Sequence, residues 1–299
     1  MKILHIVPGL EEHANGIAVA ARLIAGGQGA DMADASAFVR GAADPAVYDE
    51  CWVHSCWLPS VLRSRHMVVR SGVPLVCMTH ACLDPLRLRF HGWKKQLVGP
   101  IERSLLRRSE KIVATCEAER AWIEAYLGRR CPKIEVMDIR RFFNLSRVEH
   151  AERAEKGDGA LRLLYLGRRH PLKGIEYLEE AVRQLEARRP KSEVSLRVVS
   201  NAFGDELEKV WEWCDVLVLP TLSENFGLVI AEALERGKFA ITTDGAPAWC
   251  DGEDYGGRLI SLNGFRCGTK TDRTLLLRDA IEKVGGLIKE NSQCIASTR

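Results

Sequence analysis

Short apolar runs rich in β-branched residues alternate along the chain with longer segments of helical periodicity. Short runs bounded by turn residues are typical of buried strands, and the longer periodic segments are typical of helices. Regular alternation of the two predicts βαβ units and a mostly parallel sheet. The pattern therefore predicts an α/β protein.

The alternation occurs in two blocks. The first block predicts strands at 2–7, 51–54, 74–79, 111–115 and 133–138, and helices at 17–25, 94–108 and 117–127. The second predicts strands at 161–166, 193–199, 216–219, 239–242 and 258–261, and helices at 175–188, 205–213, 228–236 and 272–289. Between them, Glu149–Gly159 is polar, carries charges of both signs and is the best linker candidate. We predict two Rossmann-like domains, 1–153 and 154–299, facing each other across a ligand cleft.

Composition narrows the class of protein. The 299 residues suit two domains, and 46% hydrophobic with 28% charged residues argues against disorder. A net charge of +3 is too small to imply nucleic acid. No apolar run approaches the ~18 residues that a membrane span needs, and the first apolar run is too short for a signal peptide. We therefore expect a cytoplasmic protein.

The ten cysteines do not predict a metal site. Two pairs, Cys51 with Cys56 and Cys77 with Cys82, have a C-x4-C spacing, which is wider than the spacing usual in structural zinc sites. We expect free and mostly buried thiols.

The second block opens with a basic loop, GRRHPLKG, between its first strand and first helix. Loops at that edge of a parallel sheet line its ligand crevice. Arg168 can bind phosphate in a bidentate manner, Lys173 adds a point charge, and Gly174 lets the backbone approach. The alternative is an ordinary solvated basic loop.

A second motif, ENFGLVIAE, places two glutamates around a Phe-Gly pair. Glu224 falls in a strand-to-helix loop, and Glu232 falls about one turn inside the following helix. A helix N-terminus is a ready anion site. Two carboxylates around such a site indicate a ligand with both phosphates and hydroxyls, such as a nucleotide sugar.

GRRHPLKG followed by SENFGLVIAEAL resembles the retaining glycosyltransferases of family 4, which have the glycosyltransferase-B fold and an E-x7-E signature. The resemblance covers most of 160–260 well and the first half loosely. It implies that Arg168 and Lys173 neutralise the donor diphosphate, that Glu224 holds hydroxyls of the transferred sugar, and that Glu232 binds the ribose. It further implies donor contacts from the backbone around Asn225, Phe226, Gly227 and Leu228.

The resemblance also suggests neighbouring contacts. The nucleobase is expected near Asn201–Gly204, and the loop Gly245–Trp249 resembles a Gly-x-Pro-Trp loop beside the sugar or base. No two aspartates stand two residues apart, so the metal-binding Asp-x-Asp of many glycosyl-transferring enzymes is absent from the sequence. We expect a metal-independent reaction without a cofactor, in which the two cations stabilise the leaving group.

In the first half, the resemblance points to a glycine-rich turn and a histidine. Gly16 stands where that turn faces the donor phosphates, although a plain βα turn explains it equally. His80 follows a predicted strand and stands where the family carries a histidine facing the donor sugar. His54 ends the preceding strand and is a second candidate on the acceptor side. Asp84 is expected only to start a turn before Pro85.

The segment Arg87–Lys111 carries eight Lys or Arg, interleaved with Phe90, Trp93, Leu97 and Leu105. One interpretation is a solvated helix face. The other is a peripheral contact with anionic lipid headgroups, which fits family members that glycosylate lipid-linked acceptors.

Two departures from the family affect the first half. Gly26–Ala37 has small residues in place of the usual second strand, and the Pro-Asn-Gly turn expected near Val136 is missing. The leading hypothesis is a retaining hexosyltransferase that moves a sugar from a nucleotide-diphosphate sugar to a glycan or lipid-linked acceptor of the cell-envelope polysaccharide or lipopolysaccharide type. The alternatives are a catalytically weak nucleotide-sugar-binding partner of another transferase and a nucleotide-sugar epimerase.

Overall fold

A computed structural model describes residues 1–12, 15–90, 92–145, 160–188 and 194–297. The chain divides into two compact units, Met1–Phe142 and Phe143–Arg299, which we call unit 1 and unit 2. The predicted linker Glu149–Gly159, and with it the predicted boundary between 153 and 154, lies outside the described residues, so that boundary stays a prediction.

Unit 1 contains a six-stranded sheet in which all paired strands are parallel. The strand order is β2-β1-β3-β4-β5-β6. The strands are β1 (Ile3–Val7), β2 (Asp31–Asp34), β3 (Glu50–His54), β4 (Leu75–Met78), β5 (Lys111–Ala114) and β6 (Lys133–Val136). The helices are α1 (Gly16–Gln28), α2 (Ala35–Val39), α3 (Pro59–Ser71), α4 (Pro85–Arg89), α5 (Gly92–Leu106) and α6 (Glu117–Leu127).

The sequence analysis did not predict four elements of unit 1, namely β2, α2, α3 and α4. Gly26–Ala37 was expected to lack a strand, but it forms β2, which pairs in parallel with β1. No helix was predicted between 54 and 74, yet α3 occupies that span. Its apolar periodicity is interrupted because Arg65 points inward and forms a fully buried ion pair with Glu102 of α5.

Unit 2 contains a five-stranded parallel sheet in the order β11-β10-β9-β7-β8. The strands are β7 (Leu161–Leu166), β8 (Val194–Val199), β9 (Val216–Val218), β10 (Phe239–Thr243) and β11 (Leu259–Leu262). The helices are α7 (Ile175–Arg188), α8 (Asp205–Trp213), α9 (Leu228–Glu235) and α10 (Lys270–Ser297). Because β8 lies on one side of β7 and β9 on the other, the strand order reverses between β7 and β9.

The core of unit 2 explains why these elements form. The central strands are apolar on both faces, as expected for a parallel sheet covered by helices. Leu163, Val216 and Ile241 are fully buried, and α7 and α10 cover them with Leu178 and Ile281. The reversal point between β7 and β9 is therefore held by a packed core beneath it.

The sequence analysis also predicted free cysteine thiols and no membrane-spanning segment. Nine of the ten cysteines, those whose side chains the structure describes, are free thiols; four are buried, four are partly exposed, and Cys267 is exposed. Across the described part of the chain, no helix has the length and apolarity needed to cross a membrane.

Candidate active site

The predicted basic loop after β7 is docked onto the loop after β9. The carbonyl of Leu172 accepts hydrogen bonds from the Leu222 amide (2.8 Å) and the Thr221 hydroxyl (3.0 Å). Gly174 makes this approach possible, since it has a φ of 61° and its Cβ, if present, would lie 2.0 Å from the Pro220 carbonyl oxygen. The strand-order reversal thus brings the two sequence motifs together.

The docking places Lys173 beside Glu224. Their side chains form an ion pair and are 22% and 14% exposed. The Asn225 amide donates to the other carboxylate oxygen of Glu224 at 3.1 Å. Because both charges are mostly withdrawn from water, salt screens them less than it screens a surface pair.

Arg168 lies in the same loop with its side chain exposed. The loop is fixed at its start, because the Gly167 amide donates to the Val199 carbonyl (2.9 Å) and the Tyr165 hydroxyl donates to the Arg168 carbonyl (2.9 Å). Burial raises the pKa of Tyr165, which keeps the phenol protonated as that donor. Arg168 therefore has a positioned backbone and a side chain available to solvent.

A third loop, after β10, holds Glu224 from the other side. The Glu224 amide donates to the Gly245 carbonyl at 2.7 Å. A Cβ on Gly245 would lie 2.0 Å from the Thr221 carbonyl oxygen, so only glycine fits here. The backbone of Glu224 is thus fixed between two loops.

Helix α9 begins immediately beyond Glu224. Its N-cap is Gly227, which has a φ of 75° and offers no side-chain oxygen to the first amides of the helix. A Cβ on Gly227 would lie 3.4 Å from Cγ of Glu224, so this carboxylate lies against the helix start. A helix start without a side-chain cap presents N–H groups and a partial positive charge, which suits an anion. Leu228 is the first residue of this helix.

Phe226 and Trp249 support this loop from inside the core. Phe226 is 1% exposed, and its carbonyl accepts a hydrogen bond from the Trp249 indole. Trp249 is fully buried, and the centroid of its ring lies 5.2 Å from the centroid of the Phe226 ring. The suggested ligand contact from the Gly245–Trp249 loop is therefore wrong for the Trp249 ring, which packs behind the loop.

Glu232 lies one turn into α9, about 6 Å along the helix axis from Leu228. The carboxyl group is largely withdrawn from solvent, and burial raises its pKa. The nearby guanidinium of Arg236 opposes this shift and donates to the Glu232 backbone carbonyl. An added hydroxyl donor would stabilise the charged form of this carboxylate.

In unit 1, His80 follows β4 in a strained conformation. Its φ is 52°, that of Ala81 is 56°, and both residues are buried. Glu119 holds this turn, because its carboxylate accepts from the Thr79 hydroxyl (2.7 Å), the Ala81 amide (2.6 Å) and both donors of Thr115 (2.8 Å each). Positive φ at a non-glycine residue costs about 1–3 kcal/mol and marks functional segments. The sequence analysis missed Glu119, which looks like an ordinary helix carboxylate.

His54 is fully buried and does not face solvent. Its ring nitrogens bond to His80 (2.8 Å) and to His5 of β1 (2.9 Å), and His5 bonds to Gln28 (2.7 Å). Burial lowers the pKa of His5 to about 4 and that of His80 to about 3, and lowers the pKa of His54 well below its usual value. His5 and Gln28 were missed, because neither follows a strand end.

The remaining first-half candidates have simple structural roles. Gly16 is the first residue of α1, and Asn15 caps that helix by accepting from the Ile17 amide at 3.1 Å. Nothing lies within 4 Å of a Cβ built on Gly16, so its contact with a donor stays a prediction. Asp84 caps α4 through the Leu86 amide (2.9 Å), which agrees with the expected turn.

Helix α5 exposes an apolar stripe within Arg87–Lys111. Trp93, Leu97 and Ile101 are 65%, 71% and 56% exposed and follow one another at helical spacing of four residues. The same segment also carries four exposed cations, namely Arg89, Lys94, Arg107 and Arg108. Leu105, one of the apolar residues interleaved with the cations in the sequence, is 5% exposed and belongs to the core.

No group of three or more His, Cys, Asp or Glu side chains within the described ranges is placed to hold a metal ion. Metal independence of the reaction stays a prediction. The same holds for the donor contacts of Asn225, Phe226, Gly227 and Leu228.

Comparisons with known proteins agree with this geometry. Residues 8–138 match a family described as glycosyl transferase 4-like domain, and residues 160–264 match one described as glycosyl transferases group 1. The D-inositol 3-phosphate glycosyltransferase of Pseudarthrobacter chlorophenolicus is 23% identical over 227 residues, 64% of this chain and 54% of that protein. Its namesake from Segniliparus rotundus is 27% identical over 238 residues, 64% of this chain and 52% of that protein. The chain therefore spans about half the length of these relatives.

Two solved structures share the fold. The E. coli trehalose-6-phosphate protein bound with UDP-2-fluoro glucose is 11% identical, with a TM-score of 0.58 over 95% of this chain and 96% of that one. Sucrose-phosphate synthase from Thermosynechococcus elongatus is 11% identical, with a TM-score of 0.62 over 100% of both chains. The predicted fold class, glycosyltransferase-B with two Rossmann-like units, is confirmed.

Proposed function

We propose that this chain, which belongs to the group 1 glycosyltransferases of family 4, transfers a hexosyl group from a nucleotide-diphosphate sugar with retention. The observation that carries the proposal is the Lys173–Glu224 ion pair, which lies at the start of helix α9 at the strand-order reversal of unit 2. This point of a parallel sheet is the usual ligand crevice.

When the donor binds, the two members of the ion pair, Lys173 and Glu224, take different roles. The diphosphate competes for the Lys173 ammonium, which releases the Glu224 carboxylate to accept hydrogen bonds from sugar hydroxyls. Arg168 adds a bidentate contact to the phosphates, and the first amides of α9 add their partial positive charge. Glu232, withdrawn from solvent one turn further on, accepts from the ribose hydroxyls, and the nucleobase lies near Asn201–Gly204.

The chemical step then needs stabilisation of the leaving diphosphate. Arg168 and Lys173 supply that charge without a metal ion. The leaving phosphate itself deprotonates the acceptor hydroxyl on the same face of the sugar, so retention requires no protein nucleophile. His80 and Gly16 remain proposed donor contacts.

Binding and turnover of the full chain test this proposal. A thermal-shift screen against UDP, GDP, ADP and dTDP sugars identifies the donor, and isothermal titration and donor turnover then compare variants. Arg168→Gln and Lys173→Met are expected to lower turnover about 100-fold, the usual cost of removing one leaving-group contact. Arg169→Gln is the matched control, because Arg169 stands next to Arg168 but pairs with Glu179. The proposal fails if no donor binds, or if Lys173→Met and Arg169→Gln behave alike.

The short first half favours one alternative, a catalytically weak nucleotide-sugar-binding partner of another transferase. Binding of donor without turnover with any acceptor would select this alternative. Recovery of an epimerised donor would support the third hypothesis, that the protein is a nucleotide-sugar epimerase.

We propose a glycan or lipid-linked acceptor of the cell-envelope type, reached at an anionic membrane surface. The support is the α5 stripe, in which exposed apolar side chains stand among cations, as in helices that lie in a lipid interface. A cytoplasmic location with peripheral membrane contact follows from this proposal.

Co-sedimentation with vesicles tests the membrane contact. Wild type is expected to bind phosphatidylglycerol-containing vesicles more strongly than pure phosphatidylcholine vesicles, and Trp93→Ser with Leu97→Ser is expected to abolish binding. Val47→Ser is the matched control, because Val47 is 57% exposed but lies outside the stripe. Equal sedimentation with both lipids would contradict the proposal.

A further inference from the structure

Two cysteines meet between the turns that follow β3 and β4 in unit 1. Cys56 follows β3, Cys82 follows β4, and their thiols are hydrogen-bonded to each other. The contact joins one member of each C-x4-C pair of the sequence. Cys56 is 3% exposed, whereas Cys82 is partly exposed. We call Cys56 and Cys82 the dithiol.

Strained backbone surrounds both members of the dithiol. Ser55 and Trp57, the two neighbours of its first member, each have a φ of 73°. His80 and Ala81, which come just before its second member, have φ of 52° and 56°. In the described part of the chain, these are four of the five non-glycine residues with positive φ. Such conformations are costly and cluster at functional sites, and here they concentrate where the two thiols meet.

Hydrogen bonds hold the two turns against each other. The Ser55 amide donates to the Met78 carbonyl (2.9 Å), and the Trp57 indole donates to the Cys82 carbonyl (3.2 Å). The Trp57 amide is held in turn by the Glu102 carboxylate at 3.0 Å. The two sulfur atoms are therefore kept together by the backbone of both turns, without a covalent link.

The sulfur of Cys82 is surrounded by hydrogen-bond donors. The thiol and the backbone amide of Cys56 both donate to it, and the Ser55 hydroxyl lies 3.7 Å away. The guanidinium of Arg87 and the ammonium of Lys95 add positive charge nearby. Donors and cations of this kind stabilise a thiolate.

The two thiols consequently differ in acidity. The hydrogen bond from the Cys56 thiol lowers the pKa of Cys82, and the charge of Arg87 lowers it further against the effect of burial. Burial raises the pKa of Cys56 well above its usual value, and the hydrogen bond to Cys82 raises it more. Because the thiolate is the nucleophilic form of cysteine, Cys82 is the attacking thiol and Cys56 is the thiol that follows.

We propose that Cys56 and Cys82 are a reversible redox pair, in which hydrogen peroxide oxidises Cys82 and Cys56 then closes an intramolecular disulfide. The Cys82 thiolate attacks one peroxide oxygen, the O–O bond breaks, and the departing hydroxide takes up a proton, which leaves a sulfenic acid at Cys82 and one water. The sulfur of Cys56 then displaces hydroxide from the sulfenic sulfur, and that hydroxide takes the Cys56 proton to give a second water.

The balance of this reaction is simple. The dithiol loses two electrons and two protons, and one hydrogen peroxide becomes two waters. A dithiol reductant such as dithiothreitol reverses the disulfide by thiol–disulfide exchange. Neither step needs a nucleotide sugar, so the redox pair is independent of the proposed function.

Peptide mapping of the full wild-type chain tests the pair. Reduced protein is treated with a small excess of hydrogen peroxide at neutral pH, alkylated, digested without reductant and analysed by mass spectrometry. We expect a disulfide-linked peptide that contains Cys56 and Cys82 and that disappears after dithiothreitol. Absence of this peptide, its persistence after dithiothreitol, or oxidation of Cys131 ahead of it would overturn the proposal.

Alkylation rates separate the roles of the two thiols. At neutral pH, iodoacetamide is expected to modify Cys82 about tenfold faster than Cys131, which is also partly exposed but whose pKa is raised by burial. Cys56→Ala removes the thiol donor and is expected to slow alkylation of Cys82 about threefold. Equal rates at Cys82 and Cys131, or an unchanged rate at Cys82 in Cys56→Ala, would contradict these roles.

A conservative variant distinguishes the hydrogen bond from the disulfide. Cys56→Ser keeps a hydroxyl donor, so Cys82 is expected to retain its fast alkylation, but peroxide should now leave Cys82 as sulfenic and then sulfinic acid. Cys131→Ser is the matched control and is expected to form the linked peptide as wild type does. A disulfide from Cys82 to another cysteine in wild type would show that Cys56 is not its partner. The mapping of wild type decides the pair even where a variant fails to fold.

Discussion

Gly174 is the residue on which the association of the two donor motifs depends most directly, and Gly174→Ala is therefore the sharpest perturbation. The new Cβ would lie 2.0 Å from the Pro220 carbonyl oxygen, whereas an ordinary contact is at least 3.4 Å. The loop must retreat by roughly 1.4 Å, the difference between these distances. That retreat breaks the two hydrogen bonds to the Leu172 carbonyl, worth about 1 kcal/mol each.

The conformation adds a second cost. An alanine at the left-handed φ of 61° loses about 1–2 kcal/mol, so the expected total for Gly174→Ala is about 3–4 kcal/mol. Gly29→Ala is the matched control, since Gly29 has a φ of 63° and nothing within 4 Å of a built Cβ. It is expected to lose only the conformational cost of about 1–2 kcal/mol.

Calorimetry and binding measure the difference. The transition of unit 2 is expected to fall by about 10 °C in Gly174→Ala, while Gly29→Ala lowers the transition of unit 1 by about 3 °C. Donor affinity is expected to fall with Gly174→Ala, because Lys173 and Glu224 no longer meet. Equal effects of the two substitutions on stability, together with unchanged donor affinity, would refute the close-approach argument.

Three further outcomes follow from the structure. The free energy of unfolding is expected to fall as pH drops from about 6.5 toward 4, because the unfolded chain protonates its histidines before the folded chain does. His5, whose pKa is lowered to about 4, contributes about 3 kcal/mol of this loss by itself. A urea midpoint that stays constant over this pH range would contradict the prediction. In Glu119→Gln, the free energy of unfolding measured in urea is expected to fall by about 2–4 kcal/mol, because the new amide NH2 faces groups that donate hydrogen bonds to the carboxylate. In the exposed control Glu124→Gln, it should change by less than about 0.5 kcal/mol. EDTA is expected to leave turnover unchanged, and a loss that Mg²⁺ restores would show that Arg168 and Lys173 do not suffice.

The periodicity of the sequence predicts most strands and the longer helices because each of those segments is apolar enough to be buried by itself. It fails where burial depends on a partner elsewhere in the chain. Arg65 of α3 looks like a surface residue until Glu102 is found against it in the core. Asp31–Asp34 looks like a loop until pairing with β1 satisfies its backbone. In both cases the deciding interaction joins residues distant in sequence.

The same distinction between local sequence signals and contacts of distant residues applies to the candidate site. Arg168, Lys173, Glu224 and Glu232 could be named from two short motifs, because each motif carries its own spacing of charge, glycine and helix start. The association of the motifs could not be derived from spacing, since it depends on two backbone approaches that only glycine permits. The hydrogen bonds that join His5, His54 and His80 could not be derived from any local signal either.

His5 lies in β1, His54 lies in β3, and His80 lies in the turn after β4, so the parallel register decides whether their rings can meet. A one-residue shift of β1 or β3 would turn His5 or His54 to the opposite face of the sheet and break these hydrogen bonds. The buried rings would then be left with unpaired polar nitrogens, which costs about 1–3 kcal/mol for each such group. These hydrogen bonds therefore help to specify the register of β1, β3 and β4, so His54→Leu should remove the ring-to-ring hydrogen bond of both His5 and His80. Hydrogen exchange should show that loss as faster opening of β1 and of the turn at His80, and unchanged protection there would mean that the register is held by apolar packing alone.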